Sequence, residues 1–246
     1  MAKPDNRVSY GDSGGTSHAQ TLLFARDVAR MNALRRAYER LVPVPLDVFA
    51  PSLPETRVRE STILFSDIRG FTAIAERLES DPDQLLTVLN EHFRVVVRAV
   101  VRCGGTVEKF LGDGLFATFG AWADAPDHSS RALAAAIGVI GANEGLNRRR
   151  ANEWGFRLEV GVALCSGRVV VGTMGPPERC ELGIIGDPVN VAARLAQVAG
   201  ASEVLLSESA YHAVSDQVSA DLLGTRPIRG RVGALSLYRL RFGSTG

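Results

Sequence analysis

Cysteine is scarce in this chain and poorly spaced for chemistry. Its three cysteines, Cys103, Cys165 and Cys180, form no C-x-x-C pair, and an odd, scattered set speaks for a reducing compartment rather than a disulfide framework. No uninterrupted apolar run is long enough to span a bilayer, because Arg94, Arg98 and Arg102 break the best candidate. The N-terminus carries no signal-peptide core. A cytoplasmic protein without a membrane segment is expected, with the soluble part of a larger or membrane-bound regulator as the alternative. Charge of one sign is also missing: a net +1 gives no electrostatic case for nucleic acid or an anionic membrane as a partner. The cluster Arg148, Arg149 and Arg150 reads as a solvated helix end, favourable at the negative pole of the helix dipole. His92, His128 and His212 lack ligand spacing and read as helix-surface or boundary residues, so no histidine metal site is expected. There is no internal repeat.

A hydrophobic content of 46% against 22% charged residues describes an ordinary globular protein. The length suits one domain of roughly 180 residues behind a shorter leader. Residues 1–18 are polar, Gly/Ser-rich and aperiodic, and are expected to be disordered. Residues 19–42 are expected to form an amphipathic helix with Leu22, Leu23, Leu34, Tyr38 and Leu41 among its apolar positions. Two readings fit that helix: it packs on the following domain, or it is a dimer-forming signalling helix carrying input from an upstream sensor. Residues 43–56, with Pro43, Pro45, Pro51 and Pro54, form a linker, and one domain occupies 57–246.

The stretch from Ser61 to Gly120 organises the rest. Residues 62–67 (TILFSD) predict a strand ending on the carboxylate of Asp67. From Asp83 to Cys103, apolar residues recur at helical spacing, with Asp81 as N-cap and Pro82 at the helix start. Residues 106–111 and 115–119 predict a hairpin whose turn, Gly112-Asp113-Gly114, carries a second carboxylate. A helix over about 127–150 and a strand over 156–165 complete a βαββαβ order, an α+β ferredoxin-like core with extra strands and helices after it. A right-handed crossover then makes the first two strands parallel and brings Asp67 and Asp113 to one rim.

Two carboxylates at an open rim are hard oxygen ligands suited to Mg²⁺ or Mn²⁺. The competing reading makes Asp67 a helix cap and Asp113 a favoured turn residue. Gly70, Phe71 and Thr72 leave the strand and open a helix, where their N–H groups suit a phosphate. Downstream, Ser166-Gly167 reads as a turn before a strand beginning at Arg168, and Asp187 reads as the N-cap of a helix carrying Asn190 and Arg194 on one face. An amide beside a guanidinium suits a ribose and a developing phosphorane; an ordinary surface pair is the plainer alternative.

The segments SDIRGFT, EKFLGDG and IIGDPVNVAARL, in this order and spacing, resemble the motifs of class III nucleotide cyclases. The likeness runs from about Ser61 to Leu240. It implies an adenylate cyclase that converts ATP to cyclic AMP, with Asp67, Ile68 and Asp113 binding two Mg²⁺ or Mn²⁺ ions per site. It further implies that Asn190 holds the ribose, Arg194 stabilises the α-phosphoryl group, and Arg168 and Arg229 meet the triphosphate. Lys109 would read adenine N1; the second base-reading position is Gly183, which offers no side chain to the exocyclic amine. By the same resemblance a homodimer carries two composite sites, with Asp67 and Asp113 from one protomer and Lys109, Asn190 and Arg194 from its partner. A guanylate or dual-specificity cyclase and a silent nucleotide-binding dimer module are the alternatives.

Overall fold

A computed structural model describes residues 55–176, 180–227 and 234–242 of the chain. The expected leader, amphipathic helix and most of the linker lie outside the described residues, as does Arg229.

The first strand, β1 (Arg57–Arg69), is buried without a break from Ser61 to Ser66, so it is covered on both faces. It runs well beyond the predicted 62–67. β3 (Gly114–Phe119) pairs with it on one side and β4 (Glu159–Met174) on the other, both antiparallel, while β2 (Thr106–Leu111) pairs with β3. With α2 (Pro82–Arg102) joining β1 to β2 and α3 (His128–Trp154) joining β3 to β4, these strands are the expected α+β ferredoxin-like core. Further strands extend it into the order β2-β3-β1-β4-β6-β8-β7, with β6 at Val204–Ser207, β7 at Ala220–Pro227 and β8 at Ala234–Leu240. β5 (Glu181–Ile185) pairs with the far end of β4. The remaining helices are α1 (Phe71–Arg77), α4 (Asp187–Val198) and α5 (Glu208–His212).

Each face of β1 has its own core. Leu64 and Ile68 pack with Val88, Val96 and Val100 of α2 and with Ala132, Ala136 and Val139 of α3. Ile63 and Phe65 face the opposite way, toward Val191, Ala192 and Leu195 of α4, and Phe65 stacks on Phe116 with ring centroids 4.8 Å apart. The α2 start is as expected: Pro82 lies in the first turn and the Asp81 carboxylate accepts from the Gln84 N–H at 3.0 Å.

Four features correct the sequence reading. Ser166 and Gly167 are not a turn; they pair with Thr62 and Ser61, so β4 is one strand and Arg168 lies within it. The unbroken ladder with β1 carries the chain straight through. The N-cap of α4 is Gly186, and Asp187 is the first helical residue without a side-chain cap. His92 is not a surface residue but is 1% exposed, because it shares the inward stripe of α2 with Val88, Val96 and Val100. Its ring nitrogen lies 3.2 Å from Asn143 Oδ1, and burial lowers its pKa to about 4. Strands β5 and β7 carry no clear alternation in the sequence, and their pairing with β4 and β8 is what makes them strands. No helix among the described residues is long and apolar enough to cross a membrane.

Candidate active site

Asp67 stands near the C-terminal end of β1, and Asp113 occupies the turn between β2 and β3. Ladder register sets them side by side: Ser66 pairs with Leu115, and Leu111 pairs with Gly114, leaving Gly112 and Asp113 as the turn itself. Gly112 has φ 65°, a conformation that L side chains disfavour. Gly114 is needed for space. A Cβ there would lie 3.0 Å from Ser66 O and 3.4 Å from Asp67 Oδ1, against the carboxylate itself.

The two carboxyls lie close enough to interact with each other and with the Ile68 main chain. Burial first, and the negative charge of Asp67 second, raise the Asp113 pKa above its ordinary value. The other Asp67 oxygen, Oδ2, receives the Arg69 guanidinium, which also donates through Nη1 to Gln197 O at 3.0 Å, near the C-terminal end of α4. Sequence reasoning missed Arg69, although residues two apart on a strand share a face. Among the described residues no group of three His, Cys, Asp or Glu side chains joins into a metal cage. An open, all-oxygen carboxylate pair with mutual repulsion fits a hard divalent cation of the Mg²⁺ or Mn²⁺ class, with substrate oxygens completing the shell.

Next to this pair the chain turns through Gly70, at φ 66°, into α1. The Ala73 N–H closes on Gly70 O at 3.1 Å, while helix geometry leaves the N–H groups of Phe71 and Thr72 without intrahelical acceptors. The structure places Asp67, Ile68, Asp113, Gly70, Phe71 and Thr72 together at this rim.

Asn190 and Arg194 are held elsewhere. Helix α4 lies along β4 in the opposite direction. Ala199 O, just past the helix, would be 2.9 Å from a Cβ at Gly161, and Pro188 Cγ, at its start, would be 2.9 Å from one at Gly167. Gly161 is the register partner of Asp67, and Gly167 that of Ser61. The strand advances roughly 20 Å between those two glycines. One chain therefore holds its carboxylate pair near the start of β4 and Asn190 beside its middle, with Arg194 one turn of α4 nearer the pair. Asn190 is exposed, Arg194 is half-buried, and among the described residues the Arg194 guanidinium has no ion-pair partner. Arg168 lies in the same middle stretch of β4, exposed and 3.9 Å from a Glu60 carboxylate oxygen.

Lys109 and Gly183 form a third group. Lys109 follows a bulge in β2, and its Nζ lies 2.7 Å from Oε1 of Glu181, two residues before Gly183 on β5. The bulged residue, Glu108, is buried; it accepts from Thr118 Oγ1 at 2.6 Å and Trp122 Nε1 at 2.8 Å, and burial raises its pKa to about 7. Neither glutamate stood out in the sequence, since both look like surface residues of short strands.

Residues 53–241 match the model of the adenylate and guanylate cyclase catalytic domain. An adenylate cyclase of Anabaena cylindrica is 31% identical over 221 residues, covering 83% of this chain and 43% of that protein. Among solved structures, the adenylyl cyclase CyaB from P. aeruginosa is 28% identical with a TM-score of 0.70, covering 78% of this chain and 98% of that one. The guanylyl cyclase Cya2 is 29% identical with a TM-score of 0.70, covering 76% and 93%. The chain spans less than half the length of the curated relatives it matches.

Proposed function

The chain belongs to the adenylate and guanylate cyclase catalytic domain family, and we propose that it converts ATP to 3′,5′-cyclic AMP and pyrophosphate. The observation that carries this reading is the meeting of Asp67 and Asp113 at the open rim beside the start of α1. Asp67, Asp113 and the Ile68 main chain would hold Mg²⁺ or Mn²⁺, two ions per site, which supply charge neutralisation for the triphosphate and a lowered pKa for the attacking hydroxyl.

The chain's own groups do the positioning. N–H groups at Gly70, Phe71 and Thr72 receive phosphate oxygens. Asn190 orients the ribose so that its 3′-hydroxyl attacks the α-phosphorus in line with the departing pyrophosphate. Arg194 neutralises the charge that builds on the α-phosphoryl oxygens, and Arg168 and Arg229 steady the outer phosphates. Lys109 donates to adenine N1.

The separation of Asn190 from the carboxylate pair, roughly 13 Å of helix from the Ala199 end that abuts Gly161, supports a homodimer. Two copies facing each other head to tail would set the carboxylate pair of one against Asn190 and Arg194 of the other, giving two shared sites. A guanylate or dual-specificity cyclase is the second reading; it draws on Gly183, which carries no acceptor for the adenine amine.

The test is a turnover assay on the purified chain with ATP and GTP, each with Mg²⁺ and with Mn²⁺. Cyclic AMP formed from ATP with either ion, and lost when a chelator removes that ion, supports the reading; no cyclic nucleotide in any of the four mixtures refutes it.

A further inference from the structure

Gly183 leaves one base-reading position without a functional group, and the surrounding side chains show what covers the gap and what replaces it. Glu181 and Gly183 point to the same face of β5, and across the ladder they pair with Met174 and Gly172 of β4. A Cβ at residue 183 would lie 1.8 Å from Met174 Cε and 2.5 Å from its Sδ. The flexible thioether lies diagonally across the two strands and covers this glycine; it would have to swing aside for any side chain here.

Beside that apolar cover stands the Lys109–Glu181 pair, 2.7 Å apart, with side chains 46% and 51% exposed. An ammonium and a carboxylate are thereby presented side by side over a thioether, with solvent in front of them. The Watson–Crick edge of adenine is the complement: an acceptor, N1, next to a donor, the 6-amino group. Guanine presents an oxygen where adenine has that amine, and an oxygen facing a carboxylate is repelled.

We propose that Glu181 is the specificity-determining residue of this chain: its carboxylate accepts from the adenine amine, Lys109 donates to N1, and Met174 packs on the base. The acceptor has moved two residues along one strand face, into the place that Gly183 cannot fill. This rests on the cyclase reading and deepens it, since it names the group that selects the substrate.

The experiment compares ATP with purine riboside 5′-triphosphate, which differs only in lacking the 6-amino group. Binding to the full chain is measured in the presence of Mn²⁺, and product formation is measured separately. The wild type is expected to bind ATP about ten- to a hundredfold more tightly than the analogue. Glu181→Ala should bind both equally, at the level of the analogue, whereas Glu181→Asp should restore part of the preference. Glu181 is exposed, so these variants are expected to unfold at the wild-type temperature; a merely structural role would shift that temperature and leave the ratio alone. A preference that survives intact in Glu181→Ala, or its absence in the wild type, overturns the proposal. Selective binding without any cyclic product refutes the cyclase reading while the base assignment stands. Failure to bind either nucleotide refutes both.

Discussion

Asp67 and Asp113 lie forty-six residues apart in sequence, yet their carboxyls lie close enough to interact with each other. Neither is fully buried, and among the described residues Arg69 is the one cation that reaches the pair, through Asp67 Oδ2. Two like charges held this close store repulsion that a divalent cation would relieve.

Mn²⁺ should therefore raise the unfolding temperature of the wild type, and Asp113→Asn should abolish that response. The folded-state pKa of Asp113 is raised, so the unfolded chain ionises first as pH climbs. In the ion-free protein, this stabilising contribution is full below the ordinary aspartate pKa and is lost as pH rises through the folded value. Asp113→Asn should flatten that decline. Thermal unfolding at a series of pH values, with and without Mn²⁺, reads both effects; a variant that still responds to Mn²⁺ like the wild type contradicts them.

Arg69 brings its guanidinium to the pair while anchored at the end of α4 through Gln197 O. Arg69→Gln should lower the ion-free stability by about 1–3 kcal/mol, the typical cost of removing one partner from a partly buried charged hydrogen bond. The same change should enlarge the Mn²⁺-induced gain, because the ion then meets an uncompensated pair. Urea unfolding with and without Mn²⁺ measures the two quantities separately.

Glu108 gives a different pH signature. Its carboxyl is buried beneath Thr118 and Trp122 and titrates in the folded protein at about 7, against an ordinary value of 4.5. A raised folded-state pKa means that stability is fullest below pH 4.5 as far as this group is concerned and declines as pH rises to about 7. The loss is roughly 3 kcal/mol, since each tenfold change in an ionisation equilibrium is worth about 1.36 kcal/mol. Glu108→Gln keeps an acceptor for both donors and removes the ionisation. Its urea midpoint should be higher than that of the wild type at pH 8 and should change little between pH 5 and 8; a wild-type slope in the variant contradicts this.

Gly114→Ala tests the space beside Asp67. The added methyl meets the Ser66 main-chain oxygen at 3.0 Å and touches Asp67 Oδ1 at 3.4 Å, so the β1 backbone beside the carboxylate must give by a few tenths of an ångström. Turnover should fall at least tenfold, with a stability loss of about 1–3 kcal/mol, the usual cost of overfilling a packed position. Circular-dichroism melting beside a kinetic assay distinguishes this outcome from simple unfolding.

Much of this arrangement was legible in the sequence because it follows from local signals that agree with one another. Asp81 and Pro82 start α2 as read, the hairpin closes at Gly112-Asp113, and the crossover rule alone brings Asp113 to Asp67. Other features depend on tertiary contacts that no window of sequence contains. Ser166-Gly167 looks like a turn in isolation, yet the thirteen-residue β1 beside it keeps the strand going. His92 looks polar, but its spacing from Val88 and Val96 puts it inside. Glu181 and Arg69 both sit two residues from a recognised site position, and only the strand period reveals that they share its face. The emptiness of Gly183 was visible; its cover, Met174 lying across from the neighbouring strand, was not.

The central claim is that the carboxylates of one protomer work with Asn190 and Arg194 of another. Mixing Asp67→Ala with Arg194→Ala, each inactive alone, tests it most directly. Random exchange makes about half the dimers mixed, each with one intact site of two, so cyclic AMP formation should return to roughly a quarter of the wild-type rate. Subunits that demonstrably exchange and still yield no product would contradict the account.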